Sequence, residues 1–170
     1  FAEGFDLYLI AAGDKPADVR AALTTQLQLS SAQAEQLLAR LASGPQLLAT
    51  DLEIDRLMDI TDALDAAGAD ATEVPVTVLT GADLKPGSAQ AAFDQNNEPA
   101  VSLVFAGEPA TKFAELTTRR IGLPVYILLD GQLIQAPTVS EPITSGKGQI
   151  SGYGTFEDAF RMAVVLHSGA

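Results

Sequence analysis

Side chains able to do acid, base, nucleophilic or ligand chemistry are few in this sequence and scattered along it. There is one histidine, His167, and no cysteine. The missing thiol excludes disulfides, thiol nucleophiles and thiolate metal sites. A single histidine cannot build a His-rich metal centre. His167 is expected in the last turn of a closing helix, where partial positive charge suits the helix dipole. No serine or carboxylate is tied to it by a triad motif. Asp94-Gln-Asn96-Asn-Glu98 sets oxygen ligands at alternating positions, as a calcium loop begins. The sixth position should then be Gly and is Pro99, and the twelfth should be Glu and is Phe105. The segment is read as a turn before a strand. Ser145-Gly146-Lys147-Gly148 lacks the P-loop spacing. It is read as a mobile turn, with Gly146 and Gly148 as hinge positions. No paired carboxylates stand in a hydrolase context. Nothing in the chain requires an enzyme, a cofactor or a metal.

Two further groups point to binding. Asp51, Glu53, Asp55, Asp59 and Asp62 form an acidic series at helical spacing. It reads as a solvated face, with Asp51 and Glu53 at a helix N-terminus, or as a docking face for a basic partner. Pro137, Val139, Pro142 and Ile143 lie in a connection rich in Pro and Gly. They either cap a small core or present an apolar surface that holds unfolded chain.

Composition narrows the partners. Formal net charge is −12, which argues against nucleic acid and against anionic lipid. Residues 1–74 hold 13 acidic and 4 basic side chains, a net of −9; residues 75–170 hold 9 and 6, a net of −3. This asymmetry, in a chain of 170 residues, suggests two small domains, 1–74 and 75–170. Hydrophobic content of 47% supports packed cores. No apolar run is long enough to span a bilayer. The chain lacks an initiator Met and a basic-then-apolar leader, so it is expected to be a processed piece whose anchor, if any, lies outside.

The elements that hold these residues follow from periodicity. Phe5–Ala11 reads as a strand, broken at Gly13-Asp14-Lys15-Pro16, with Asp14 able to cap the next helix. A first helix over 17–28 uses Val19, Leu23 and Leu27. Ser30-x-x-Gln33 is a capping box for a second, with Ala34, Leu37, Leu38 and Leu41 inward. Thr50-x-x-Glu53 reads as another box, opening a helix with Ile54, Leu57, Met58 and Leu64 inward. A strand over 72–79 completes a strand–three helices–strand unit. In the second unit, Ala100–Phe105 reads as a strand. A helix from Pro109 uses Phe113, Leu116 and Ile121, with Arg119 and Arg120 in its last turn. Val125–Leu129 and Leu133-Ile134 form a hairpin about Asp130-Gly131, a type I′ signal. Pro137 ends the pairing. Thr155-x-x-Asp158 caps a last helix with Phe156, Ala159, Phe160, Ala163 and Val164 inward. The fold class is α+β: a strand–three helices–strand unit, then a small sheet-and-helix unit with a β-hairpin.

The second unit carries a family resemblance. Leu129-Asp130-Gly131, Ile134-x-Ala136-Pro137, Glu141-Pro142-Ile143 and Gly148-Gln149-Ile150-Ser151-Gly152 stand in order, followed by a helix ending in Ser168-Gly169-Ala170. From about residue 79 onward this resembles the head of the first periplasmic domain of SecD, a membrane-bound accessory subunit of the bacterial Sec translocase. The resemblance implies an extracytoplasmic domain that contacts unfolded preprotein emerging from the channel. It implies anchoring segments outside this chain, which engage the Sec translocon and other Sec accessory subunits. Proton-carrying residues belong to the family's membrane helices, and none is assigned here. Asp130, Gly131, Gly146 and Gly148 are the expected turn and hinge positions. Pro137, Val139, Pro142 and Ile143 are the expected preprotein contacts. The family's base subdomain, with its Asp-Leu-Arg-Gly-Gly motif, is absent from these residues.

The first unit resembles a different family. Phe5-Asp-Leu-x-Leu-x-Ala-Ala-Gly13, Val19-Arg20 and Leu64-x-x-Ala67-Gly68-Ala69 resemble the C-terminal domain of the bacterial ribosomal stalk protein. The lysines of that domain's factor-binding surface are mostly missing, and Leu29-Ser30-Ser31-Ala32 replaces its glycine-rich basic turn. The fold is implied; translation-factor binding is not. The alternative to a SecD piece is a free-standing exported protein or lipoprotein. In that case the acidic first unit is an adaptor and the head-like unit its scaffold.

Overall fold

The computed structural model describes residues 1–168. The end of the resembling motif, Gly169-Ala170, lies outside the described residues. By its internal contacts the chain forms two units: Gly4–Val76, and Phe1–Glu3 together with Thr77–Ala170.

The first unit is a three-stranded sheet with three helices. Strand β1 (Ala2–Ala11) lies between β2 (Gln46–Leu52) and β3 (Asp70–Thr77). Along β1, Phe5, Leu7 and Leu9 alternate inward and are buried, as a half-covered strand requires. Helix α1 (Pro16–Leu27) buries Val19 and Leu23. Helix α2 (Ser31–Arg40) opens on a formed capping box: Gln33 N–H donates to Ser30 Oγ, and Ser30 N–H donates to Gln33 Oε1. Helix α3 (Ile54–Ala66) buries Leu57, Ile60 and Leu64.

Strand β2 corrects the reading of Thr50-x-x-Glu53 as a capping box. Thr50 is a strand residue, and α3 begins only at Ile54. Antiparallel pairing with β1, from Phe5↔Leu52 to Leu9↔Gln46, satisfies this backbone in place of helix. Asp51 has φ +52° and donates its N–H to Asp6 Oδ1, so it sits in a strand irregularity rather than at a helix dipole. Met58 is 53% exposed; Ile60 takes the inward position expected of it. At α1 the N-cap is Lys15, not Asp14.

The second unit is built on a sheet of β4 (Gln90–Phe93), β5 (Pro99–Val104) and β8 (Lys147–Ile150), in the order β4-β5-β8. Both pairings are antiparallel. Ala91, Val101 and Ile150 stand side by side across it, so they share a face. Helix α4 (Glu108–Arg119) contributes Phe113, Leu116 and Thr117 to the interior. Helix α5 (Phe156–His167) packs over β4 and β5 and buries Ala159, Ala163 and Leu166. One core cluster joins these to Leu103, Phe105, Val125, Ile127 and Val139. The hairpin is β6 (Ile127–Leu129) and β7 (Gln132–Gln135). Asp130 at φ +50° and Gly131 at φ +79° have the two positive angles that a type I′ turn needs.

Three expectations about this unit change. The inward face of α5 is small: Phe156, Phe160 and Val164 are exposed, because Ala159 and Ala163 let the helix approach the sheet closely. Ile121 lies past the end of α4 and is 50% exposed. Ser145–Gly148 is not a free turn, since β8 begins at Lys147.

Candidate functional site

The segment 121–146 builds the site. It enters β6, turns at Asp130-Gly131, and returns alongside its own entrance. Pro137 does not end the pairing: its carbonyl accepts from Val125 N–H at 3.0 Å. Val139 N–H donates to Leu123 O at 3.0 Å, and Gly122 N–H donates to Val139 O at 2.8 Å. Proline lacks only the donor, so its acceptor side still serves a ladder.

Beyond Val139 the chain is fastened to α4. Thr117 is buried, and its hydroxyl donates to Phe113 O at 3.0 Å while accepting from Ile143 N–H at 2.9 Å. The chain then rejoins the sheet, where Phe105 N–H donates to Gly146 O at 2.7 Å. A Cβ at Gly146 would run into the Phe105 carbonyl, and the residue has φ +75°, so only glycine fits. At Gly148 a Cβ would lie 2.9 Å from Leu103 Cδ1 and 3.2 Å from the Phe113 ring. Both glycines are buried points of close approach.

Between this loop and the sheet lies a groove of about 510 Å³. Its floor is the buried core of Leu103, Phe113, Val125, Ile127 and Ile150, while Gln95, Thr138, Glu141, Lys147 and Gln149 make much of its exposed lining polar. Phe1 also lines it, with its ring 5.6 Å from that of Phe105 and 6.0 Å from that of Phe113. The rim brings together Pro137, Val139, Pro142 and Ile143. Their exposure differs. Val139 is only 9% exposed and belongs to the core, Pro137 and Ile143 are half-buried, and Pro142 is exposed. Asp130 and Gly131 form the hairpin tip and do not line the groove.

Two residues that matter here carry no motif. Thr117 stands one and four residues after Leu116 and Phe113, on the same helical face, which is the signal that could have found it. Arg120 was expected to complement a helix dipole. It is buried instead, donating from Nε and Nη2 to Pro124 O at 3.1 and 2.6 Å, with its guanidinium 5.9 Å from the centre of the Tyr126 ring. His167 ends α5 and is exposed. Asp94 accepts from Asn96 N–H at 2.8 Å and Glu98 N–H at 2.9 Å, so its carboxylate closes the β4–β5 turn. Among the described residues no cluster of three or more His, Cys, Asp or Glu side chains is placed to hold a metal.

The second unit is thus a small α+β unit with a groove and a tethered Pro-rich rim. Comparison with known proteins gives its family. The family described as SecDF, P1 head subdomain, matches residues 58–170. The chain therefore belongs to the SecD/SecDF family and contains its P1 head subdomain. It is 49% identical over 94 residues to protein translocase subunit SecD of Acidaminococcus fermentans, covering 55% of this chain and 22% of that protein. It is 37% identical over 124 residues to SecD of Dictyoglomus turgidum, covering 70% and 31%. Against protein translocase subunit SecDF of Thermus thermophilus it is 45% identical over 93 residues, covering 55% and 12%. The chain thus spans less than a third of the length of these relatives. A crystal structure of SecDF in a super-membrane-facing form matches with TM-score 0.50 and 29% identity, over 99% of this chain and 19% of that one.

Proposed function

We propose that this chain is the extracytoplasmic head of a Sec protein-translocation accessory factor, and that it contacts unfolded preprotein emerging from the channel. Family membership supports the first part. The second rests on one observation, the groove of mixed polar and apolar lining rimmed by Pro137, Pro142 and Ile143 and held in shape by Thr117. Unfolded chain presents apolar side chains and unpaired backbone. A concave surface whose rim exposes Pro137, Pro142 and Ile143 can take the former, and the polar side chains beside them can meet the latter, without demanding a sequence. Val139 acts from below, as part of the wall.

In this reading the head works by binding and movement and catalyses no reaction. The segments that anchor it and meet the translocon lie outside this chain; no helix among the described residues is long and apolar enough to cross a membrane. Phe1–Glu3 together with residues 77–170 carry the preprotein contact. Residues 4–76 add an accessory docking module, for which the exposed Asp55, Asp59 and Asp62 on α3 offer a face to a basic partner.

The absence of cysteine makes the test clean. A single Cys at Pro142 carries a short photo-crosslinker, and a control carries it at Gln132 on the exposed β7. With an unfolded secretory polypeptide, adducts are expected from Pro142→Cys and far fewer from Gln132→Cys. Equal yields from both positions would contradict the groove assignment.

A further inference from the structure

A second surface on the same unit is independent of that groove. β4 is an outer strand of its sheet, and among the described residues no strand pairs with its free side. Antiparallel hydrogen bonding determines which groups are left over. Asp94 N–H donates to Glu98 O at 2.9 Å, which makes that pair hydrogen-bonded. Phe93↔Pro99 and Ala91↔Val101 then fall at alternate positions, without mutual bonds, and Pro99 has no N–H to give. The N–H and C=O of Ala91 and Phe93 therefore point away from β5, along an open edge.

Beside this edge runs a groove of about 520 Å³, lined by Ala89, Ala91, Phe156, Phe160, Val164 and His167 among others. Phe93 stacks on Phe156 with ring centres 5.1 Å apart, and His167 lies against Gly87. So α5 runs opposite to β4, and the groove extends from the Phe93–Phe156 end to the Gly87–His167 end. Phe160 is 55% exposed. The edge is short, four residues, but it is apolar at Ala91, Ala92 and Phe93 and carries no charge or proline to block pairing. Charge gives the occupant a direction. Asp94 and Glu98 stand in the turn at the first end, with Glu157 and Asp158 in the first turn of α5. Arg161, paired to Glu157 at 2.6 Å, offsets part of this charge. Lys85 and His167 stand toward the other end.

We propose that the β4 edge and the β4–α5 groove bind an extended polypeptide segment as a fourth strand, one with alternate apolar side chains and a Lys or Arg where it passes the Asp94–Glu98 turn. Main-chain bonds from Ala91 and Phe93 supply the pairing, the groove accepts every second side chain, and the carboxylates set the orientation.

The probe is a fluorescent peptide about ten residues long, two lysines followed by alternating valine and threonine. It is titrated into the full 170-residue chain. Saturable binding is expected, with amide exchange at Ala91 and Phe93 slowed when peptide is bound. Val164→Glu places charge on an exposed position of the groove and is expected to weaken binding about tenfold or more. N-methylation of alternate peptide amides is expected to abolish binding, and added salt to weaken it. Slowed exchange at Ala91 and Phe93 is expected to persist in Pro142→Asp, which disables only the other groove. The proposal is overturned by undiminished binding of the N-methylated peptide, by unaltered exchange at Ala91 and Phe93, or by no saturable binding. It is equally overturned if sedimentation shows the wild-type chain pairing with itself through this face, a pairing lost in Val164→Glu.

Discussion

Thr117 shows how one buried hydroxyl shapes the groove that it lines. It is buried, it satisfies Ile143 N–H, and its own proton goes to Phe113 O. Thr117→Val keeps the shape and removes both bonds. The variant is expected to lose about 1–3 kcal/mol in urea unfolding, the range for leaving a buried polar group unsatisfied. Faster amide exchange at Ile143 is expected with it. Tyr153 supplies the pH signature. Its hydroxyl is buried with no hydrogen-bond partner among the described residues, and burial pushes the phenol up to about 12 from the ordinary 10.0. The folded state thus favours the neutral phenol. That contribution is complete below pH 10 and is lost as pH climbs from 10 toward 12, because the unfolded chain releases the proton first. Tyr153→Phe is expected to flatten the alkaline fall in stability; a fall of the same steepness would show that another group is responsible.

At the scale of elements, the sequence was most legible where turn chemistry and periodicity agree. Asp130-Gly131 announced its hairpin, and Ser30-x-x-Gln33 announced α2, because each motif satisfies its own backbone locally. β2 was missed because Thr50-x-x-Glu53 has the same local grammar, and the competing partner, β1, is some 45 residues away in sequence. The face of α5 was misread for a different reason. Helical periodicity marks an apolar stripe but does not say how far it extends into solvent, and the alanines rather than the phenylalanines meet the sheet. The β4–β5 turn offers a direct check. Bonds from Glu98 N–H and then Asn96 N–H hold the Asp94 carboxyl below its ordinary range. A depressed carboxylate contributes stability above its unfolded pKa and loses it as pH falls through the folded one. Asp94→Ala is expected to remove this acid-side dependence and speed amide exchange at Asn96 and Glu98. Unchanged exchange would mean that the turn does not depend on its aspartate.

At the scale of the whole molecule, the rim residues were nameable from the sequence, but their roles were not. Pro137, Val139, Pro142 and Ile143 do lie together on one groove. Yet Val139 is a core residue, and the anchor at Thr117 and the seat at Phe1 come from distant parts of the chain. The first residues belong with the second unit: Ala2 and Tyr126 exchange N–H···O bonds of 2.8 and 2.9 Å, and Arg119 pairs with Glu3 at 2.9 Å. A chain beginning at Gly4 loses these bonds and the Phe1 ring contacts. It is expected to unfold with about 2–4 kcal/mol less stability in that unit, as read from denaturant curves. The central claim is that the groove under 137–145 holds unfolded polypeptide. It is tested most directly by titrating a labelled, unfolded secretory polypeptide into the intact chain and into folded Pro142→Asp and Ile143→Thr variants. We expect saturable binding with a component that weakens about tenfold or more in either variant, and that is still lost in either variant when Val164→Glu is present in all the proteins to silence the β4 edge. Binding of equal strength with and without the Pro142→Asp or Ile143→Thr substitution, or none in any of the proteins, would contradict the account.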